Sequence, residues 1–130
     1  MKSIHFAFVV GLLIIIGAVF FISTKNTAPG DAPQNANNVY LEEGKQIIEI
    51  DAKGGYLPRK SIAKAGIPTI IRFNTQATFD CSSSVRIPSL DVSKILPQTG
   101  STDIDIGTQG VGPLEGSCGM GMYPFEVIFQ

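Results

Sequence analysis

The sequence predicts an all-β, antiparallel sandwich domain that follows a single N-terminal transmembrane helix. Two observations carry this prediction. The segment from Ile4 to Ile22 has no charged side chain, whereas the apolar residues after position 38 come in short runs of isoleucine, valine and phenylalanine. Such runs, separated by turn residues about every ten positions, are typical of β-sandwiches. A chain of 130 residues leaves room for one such domain.

The first element, after a flank of residues 1–3, is the apolar segment 4–22. As a helix it would be about 28 Å long, close to the ~30 Å hydrocarbon thickness of a bilayer. A cleaved signal peptide is the alternative, but its apolar core is usually about 7 to 15 residues long and ends in an A-x-A-like site. Neither feature is found here, so we expect an uncleaved membrane anchor.

Residues 23–38, which read STKNTAPGDAPQNANN, have no apolar periodicity and predict a flexible tether. They leave residues 39–130 for the soluble domain. The flanks of the anchor carry only Lys2 and Lys25, so there is almost no difference in positive charge from which the positive-inside rule could predict an orientation. The side of the membrane on which the domain lies stays open on this evidence.

Six strands are expected within the domain. In two of them apolar and polar residues alternate, which indicates one buried face. The best helical candidate is a short turn at Leu90–Leu96, which would begin at Ser89 or Asp91 and end before Pro97. The predicted strands are Gln46–Asp51, Ser61–Lys64, Thr69–Asn74, Ser83–Ile87, Ser101–Ile106 and Phe125–Phe129.

Charge and histidine content exclude two classes of function. The chain has 10 basic and 11 acidic residues, and no cluster of Lys or Arg is dense enough to follow a phosphate backbone, so nucleic acid is not expected as a partner. The one histidine, His5, lies in the apolar segment, which leaves no Ser-His-Asp set. Asp103 and Asp105 resemble a solvated strand face, so we expect no enzyme activity.

Sulfur is concentrated in one short segment. Apart from Met1, both methionines lie in the run Cys118-Gly119-Met120-Gly121-Met122. Methionines that fill gaps under a loop are the alternative. However, the two glycines expose the sulfur atoms, and in an extended strand residues 118, 120 and 122 would point to the same side. Thiolate and thioether ligands without imidazole favour Cu(I) over zinc, Cu(II) or calcium.

The second cysteine, Cys81, lies 37 residues before Cys118, and both are expected in loops that can meet at one end of the sandwich. A structural disulfide between them is the alternative to a metal site. A disulfide alone does not explain why two methionines lie next to Cys118. Zinc is disfavoured because it needs four ligands, and two cysteines without a nearby histidine do not provide them.

Several segments of the sequence resemble those of a known family. Its motifs are similar to the cupredoxin-like domains found with bacterial copper exporters, and the anchor with the Cys-x-Met-x-Met ending resembles the CupA-type, membrane-anchored Cu(I) chaperones of copper resistance. The resemblance covers about residues 54–130. The matching segments are Gly55-Tyr56-Leu57-Pro58, Ile62-Ala63-Lys64-Ala65-Gly66-Ile67-Pro68, Cys81, Ile87-Pro88 and Cys118–Met122.

This resemblance implies a cupredoxin-like Greek-key β-sandwich without the usual redox function. Cupredoxins that transfer electrons use two histidines, a cysteine and often a methionine. Here Cys81 stands where the resemblance would place the first histidine, and Met120 or Met122 replaces the one in the last loop. Ligation by sulfur alone favours Cu(I) so strongly that cycling to Cu(II) would be poor.

The resemblance further implies a binuclear cuprous site. Cys81 and Cys118 would bind one ion tightly, and Cys118 would bridge to a second, weaker ion that Met120 and Met122 also bind. The implied protein is a monomeric, membrane-anchored Cu(I) chaperone or buffer with its domain on the cytoplasmic face. It would pass copper to a copper-exporting P-type ATPase in the same membrane, which the tether keeps close.

The alternative is a protein of another class. An exported, extracytoplasmic β-sandwich interaction module would have a Cys81–Cys118 disulfide as a structural crosslink, with Met120 and Met122 as packing under the loop.

Overall fold

The computed structural model describes residues 37–130, which form a sandwich of two β-sheets. Short 3₁₀ turns at Cys81–Ser83 and Pro88–Leu90 flank the strand between them. The strands are β1 (Val39–Glu42), β2 (Lys45–Ala52), β3 (Tyr56–Leu57), β4 (Lys60–Ala63), β5 (Pro68–Thr75), β6 (Ser84–Ile87), β7 (Val92–Ile95), β8 (Gly100–Thr108), β9 (Gly112–Cys118) and β10 (Pro124–Phe129).

Both sheets contain five strands and both are mixed. The first has the order β1-β2-β5-β8, with β3 paired to the end of β2, and the second has the order β4-β10-β9-β6-β7. The purely antiparallel arrangement predicted from the sequence is wrong, because β2 pairs with β5 in parallel and so does β4 with β10. Between β2 and β5 the chain passes through β4 in the other sheet, and this crossover allows the parallel pairing.

The core lies between the sheets, and on β8 and β10 it follows the alternation of the sequence. On β8, Ile104 and Ile106 are buried while Asp103 and Asp105 are exposed, as the sequence predicts. On β10 the buried residues are Phe125, Val127 and Phe129, again as predicted. Both strands therefore contribute one apolar face to the space between the sheets.

Three aromatic rings pack together in this core, near the end of the sandwich that carries Cys81 and Cys118. The centroid of Tyr56 lies 5.8 Å from that of Phe73 and 5.0 Å from that of Phe125, and Phe73 and Phe125 are 5.5 Å apart. All three pairs are edge-to-face, the geometry that the aromatic quadrupole favours. The cluster fixes the position of β3 relative to β5 and β10.

The helical turn predicted at Leu90–Leu96 is wrong. A 3₁₀ turn ends at Leu90, Asp91 adopts a left-handed conformation (φ 54°, ψ 32°), and Val92–Ile95 then form β7. This strand pairs antiparallel with β6 along its whole length. Tertiary pairing with a neighbouring strand therefore outweighs the local capping signals.

The six predicted strands all occur, with bounds that differ by one or two residues. Within residues 37–130 no helix is long and apolar enough to cross a bilayer. The predicted anchor at 4–22 and the tether up to residue 36 lie outside the described residues.

Candidate metal centre

The two cysteines lie side by side at one end of the sandwich. Cys81 begins the 3₁₀ turn between β5 and β6, and Cys118 is the last residue of β9. Their Cα atoms are 5.7 Å apart, and the two sulfur atoms are joined as a disulfide. The predicted meeting of the cysteines is thus observed, but Cys118 belongs to a strand, where it pairs with Val85 of β6, and not to a loop.

The turn that begins at Cys81 is fixed by the preceding carboxylate. Asp80 accepts hydrogen bonds from the Ser82 backbone N–H, at 2.8 Å, and from the Ser82 hydroxyl. Its other oxygen accepts the backbone N–H of Gly54 at 2.9 Å. Hydrogen bonds from the Ser82 side chain and backbone lower the pKa of Asp80, so this carboxyl stays ionised at neutral pH.

The methionines lie on a short loop that hydrogen bonds of the Cys118 backbone close. The Cys118 N–H donates to the Tyr123 carbonyl at 3.0 Å, and the Gly121 N–H donates to the Cys118 carbonyl at 2.8 Å. Gly121 has a φ of +74°, which a residue with a side chain rarely adopts. The segment is therefore a turn, and the extended geometry predicted for residues 118–122 is wrong.

Both thioethers face solvent. The exposed fraction is 79% for Met120 and 62% for Met122, whereas Cys118 is fully buried and Cys81 is half-buried. Methionines that fill a gap in packing would be buried. Loop packing, the alternative explanation for these residues, is therefore wrong. Phe79, two residues before Cys81, is also largely exposed, so that apolar side chains flank both cysteines.

Two residues that the sequence did not indicate as functional hold the segment around Cys81 in place. Asp80 forms the turn at Cys81, and the Tyr56 hydroxyl donates to the carbonyls of Ser82 and Ser84 at 3.2 and 3.1 Å. Burial, together with the charge of Asp80, raises the pKa of Tyr56, so its hydroxyl keeps its proton. The Asp-x-Ser pattern at 80–82 is the one sequence signal for this arrangement.

The donor atoms at this end of the domain are soft. Among residues 37–130 no group of three or more His, Cys, Asp or Glu side chains lies close enough to bind a metal ion. Two cysteine sulfurs in direct contact and two exposed thioethers suit Cu(I) once the cysteines are reduced to thiolates. The residues present therefore fit cuprous copper, and they fit it in the dithiol form.

Comparison with known proteins identifies the fold family. The model of the cupredoxin-like domain family matches residues 12–128. No curated protein sequence matches the chain.

The solved structures that are similar to it include two from copper-binding proteins. The metal-binding domain of CopA, the Cu(I)-exporting P-type ATPase of Streptococcus pneumoniae, determined with Cu(I), is 27% identical with a TM-score of 0.65 and aligns over 71% of this chain and 92% of that domain. A copper-binding protein, whose solution structure was determined by NMR in the apo form, is 25% identical with a TM-score of 0.65, over 71% of this chain and 94% of that protein.

Proposed function

Because this chain belongs to the cupredoxin-like family, we propose that its domain binds cuprous copper as a chaperone or buffer in copper resistance, using four sulfur atoms, those of Cys81, Cys118, Met120 and Met122. One observation carries the proposal. The two cysteine sulfurs are joined at the end of the sandwich, directly beside a loop that exposes two thioethers. The likeness to a metal-binding domain determined with Cu(I) supports this choice of metal.

The sulfur atoms divide into two sites of unequal strength. Cys81 and Cys118 supply two negative charges and bind the first ion tightly. Met120 and Met122 are neutral, so they bind a second ion more weakly, with Cys118 as the shared ligand. Their exposure makes the second ion the one that a receiving protein reaches first.

Copper binding requires the dithiol. Reduction of the Cys81–Cys118 disulfide takes two electrons and two protons, which two molecules of a low-molecular-weight thiol supply as they are joined into one disulfide. Such reductants are abundant in the cytosol. We therefore propose that the domain, which follows the predicted anchor at 4–22, lies on the cytoplasmic face of the membrane.

The proposed receiver is a copper-exporting P-type ATPase in the same membrane. The likeness to the metal-binding domain of such an ATPase supports this partner. Exposed apolar side chains next to the cysteines, those of Phe79, Met120 and Met122, offer a contact surface around the site. The tether at 23–38 raises the local concentration of the domain near the ATPase.

The direct test is an anaerobic titration of the reduced, full-length protein in detergent with Cu(I) against a competing chelator. We expect one tightly bound ion per chain and a second, weaker one. Cys81→Ser should abolish the tight site, because a single thiolate remains. Fewer than one tightly bound ion per chain in the native protein contradicts copper binding, and equal losses from all four single substitutions contradict the two-site arrangement.

The disulfide favours a second candidate function. On the outer side of the membrane the crosslink would be permanent, and the domain would be an interaction module without copper. Counting free thiols in freshly isolated protein distinguishes the two candidates. Two free thiols per chain support the chaperone, and a quantitative disulfide in cells supports the module.

A further inference from the structure

The hydroxyl of Tyr56 contacts the segment that follows Cys81, and a shared acceptor links it to the loop that follows Cys118. It donates to the carbonyl of Ser82, one residue after Cys81, and to the carbonyl of Ser84. The Ser84 carbonyl also accepts the N–H of Gly119, one residue after Cys118, at 3.0 Å. A single hydroxyl thus lies at the junction between the turn of Cys81 and the loop of Cys118.

The two glycines before Tyr56 lie beside the same segments. Gly54 donates its N–H to Asp80, which fixes the turn of Cys81. A Cβ at Gly55 would lie 3.7 Å from the ring of Tyr123, whose carbonyl accepts the Cys118 N–H. The segment Gly54–Tyr56 is therefore hydrogen-bonded directly to the Cys81 segment, and it is linked to the Cys118 loop through the Ser84 carbonyl.

Tyr56 itself has little freedom to move. Its side chain is 1% exposed, and its ring packs edge-to-face against Phe73 and Phe125. Burial keeps the hydroxyl protonated, so it remains a donor to both carbonyls. A donor on a buried ring sets the positions of its acceptors more firmly than one on a flexible side chain.

We propose that Tyr56 is a positioning residue that fixes the separation of Cys81 and Cys118, and so sets both the Cu(I) affinity of the dithiol and its tendency to close as a disulfide. The copper half of this inference rests on the proposed function. The disulfide half does not, because it concerns only the cysteine pair that the structure shows in contact.

The test is Tyr56→Phe in the full-length protein, which removes the hydroxyl and keeps the packed ring. Two constants are measured, the Cu(I) affinity by chelator competition and the equilibrium constant for disulfide formation in glutathione buffers. Loss of a buried hydrogen bond that positions both partners should lower each constant by about tenfold. Thermal unfolding of the same variant is followed in parallel.

Tyr40→Phe is the matched control. The Tyr40 hydroxyl donates to Glu49 at 3.0 Å and accepts from Arg72 at 3.3 Å on the outer surface of the first sheet, so its removal costs hydrogen bonds that no cysteine segment shares. We expect both constants to stay at the native values in this variant. An equal fall in both variants, or a Tyr56→Phe protein that unfolds at a lower temperature with both constants unchanged, overturns the positioning role.

A second variant tests the same network from the other side. Asp80→Asn replaces one acceptor oxygen by a donor, so either the bonds to Ser82 or the bond to Gly54 is lost. We expect it to lower both constants, and the double variant with Tyr56→Phe to lose less than the sum, because the two residues act on one turn. Full additivity contradicts a shared network.

The outcomes separate this inference from the proposed function. If the native protein binds no Cu(I) while Tyr56→Phe still weakens disulfide formation, the copper function is wrong and the positioning role stands. If the native protein binds Cu(I) and neither constant changes in Tyr56→Phe, the positioning role is wrong and the copper function stands.

Discussion

The four sulfur atoms of the candidate site differ sharply in their contact with solvent. Cys118 is fully buried, Cys81 is half-buried, and Met120 and Met122 are mostly exposed. Ligands that solvent reaches are also those that an incoming thiolate displaces first. Transfer of copper would therefore begin at the thioethers and end at Cys118.

The methionines provide the clearest prediction for single residues. The double substitution Met120→Leu with Met122→Leu keeps the apolar volume and removes both thioethers. We expect it to abolish the weaker Cu(I) site and to leave the tight one within about twofold of native, because neutral thioethers add little to a two-thiolate site. Stability should change by less than about 0.5 kcal/mol, since both side chains are exposed.

Chelator competition measures both sites in one titration, and thermal unfolding measures the stability. Ile95→Leu, at another highly exposed apolar position, is the control for changes in surface hydrophobicity. Retention of two ions by the double methionine variant would mean that the thioethers are not ligands.

Among single residues, the sequence could reveal those whose chemistry is unusual for their position. Two methionines within five residues of a cysteine predict a soft metal site without any knowledge of the fold, and this site stays a prediction. Tyr56 and Asp80 could not be found in this way. Their roles depend on hydrogen bonds to segments that lie 26 residues away in sequence, and a tyrosine or aspartate in isolation has many ordinary roles.

At the scale of the strands, alternation was the reliable signal. It predicted β8 and β10 with their buried faces, because each places one apolar face against the opposite sheet. It missed β9, which contains Gly112, Pro113 and Gly116 and has low intrinsic strand propensity. This strand forms because β10 and β6 pair with it on both sides.

Gly116 on β9 makes room for an aromatic ring. A Cβ at this position would overlap the ring of Phe125. We therefore expect Gly116→Ala to lower the free energy of unfolding by about 1–3 kcal/mol, the usual cost of overpacking a core. Chemical denaturation of the native protein and the variant provides the measurement.

Gly110→Ala is the control for this substitution. Gly110 has no neighbouring atom within 4 Å of the added Cβ, and its φ is not positive. A change of similar size in both variants would show that the effect comes from the loss of glycine and not from contact with Phe125.

An ion pair on the outer face of the first sheet predicts that the stability of the domain depends on pH. Arg72 on β5 donates two hydrogen bonds to Asp103 on β8, at 2.7 and 3.0 Å, and these lower the pKa of Asp103. At pH values above 3.8, the ordinary pKa of this carboxyl group, the pair therefore stabilises the folded state. This contribution is lost as the pH falls through the lowered pKa of Asp103 in the folded protein.

Asp103→Asn should lower the free energy of unfolding at pH 7 by at most about 1 kcal/mol, because solvent screens the pair. The difference from the native protein should shrink as the pH falls below 3.8. Denaturation at a series of pH values is the measurement. Asp51→Asn removes the same charge without affecting the Arg72 pair, and an identical pH profile in both variants would argue against a specific role for Asp103.

At the scale of the whole domain, the state of the cysteine pair should set the overall stability. A disulfide between positions 37 residues apart restricts the unfolded chain and contributes about 4 kcal/mol by the loop-entropy relation. We expect the reduced, copper-free domain to unfold at a clearly lower temperature than the oxidised one. Cu(I) should recover part of the difference, because it binds the folded state.

Thermal unfolding of the oxidised protein, the reduced protein and the reduced protein with Cu(I) tests this order. Cys81→Ser is the control, since it has neither a disulfide nor the tight site. Equal stabilisation of this variant by Cu(I) would show that copper binds elsewhere on the domain.

The parallel pairing of β4 with β10 also determines when the domain can be completed during synthesis. Lys60 lies opposite Glu126 in this pair, so β4 must wait for a segment that the ribosome makes more than sixty residues later. Contacts of such long sequence separation form late in folding. Since β9, which ends at Cys118, lies between β10 and β6, its sheet closes only once β10 has emerged. If the domain binds Cu(I) as proposed, the ion would therefore meet a finished site only after β10 has joined this sheet.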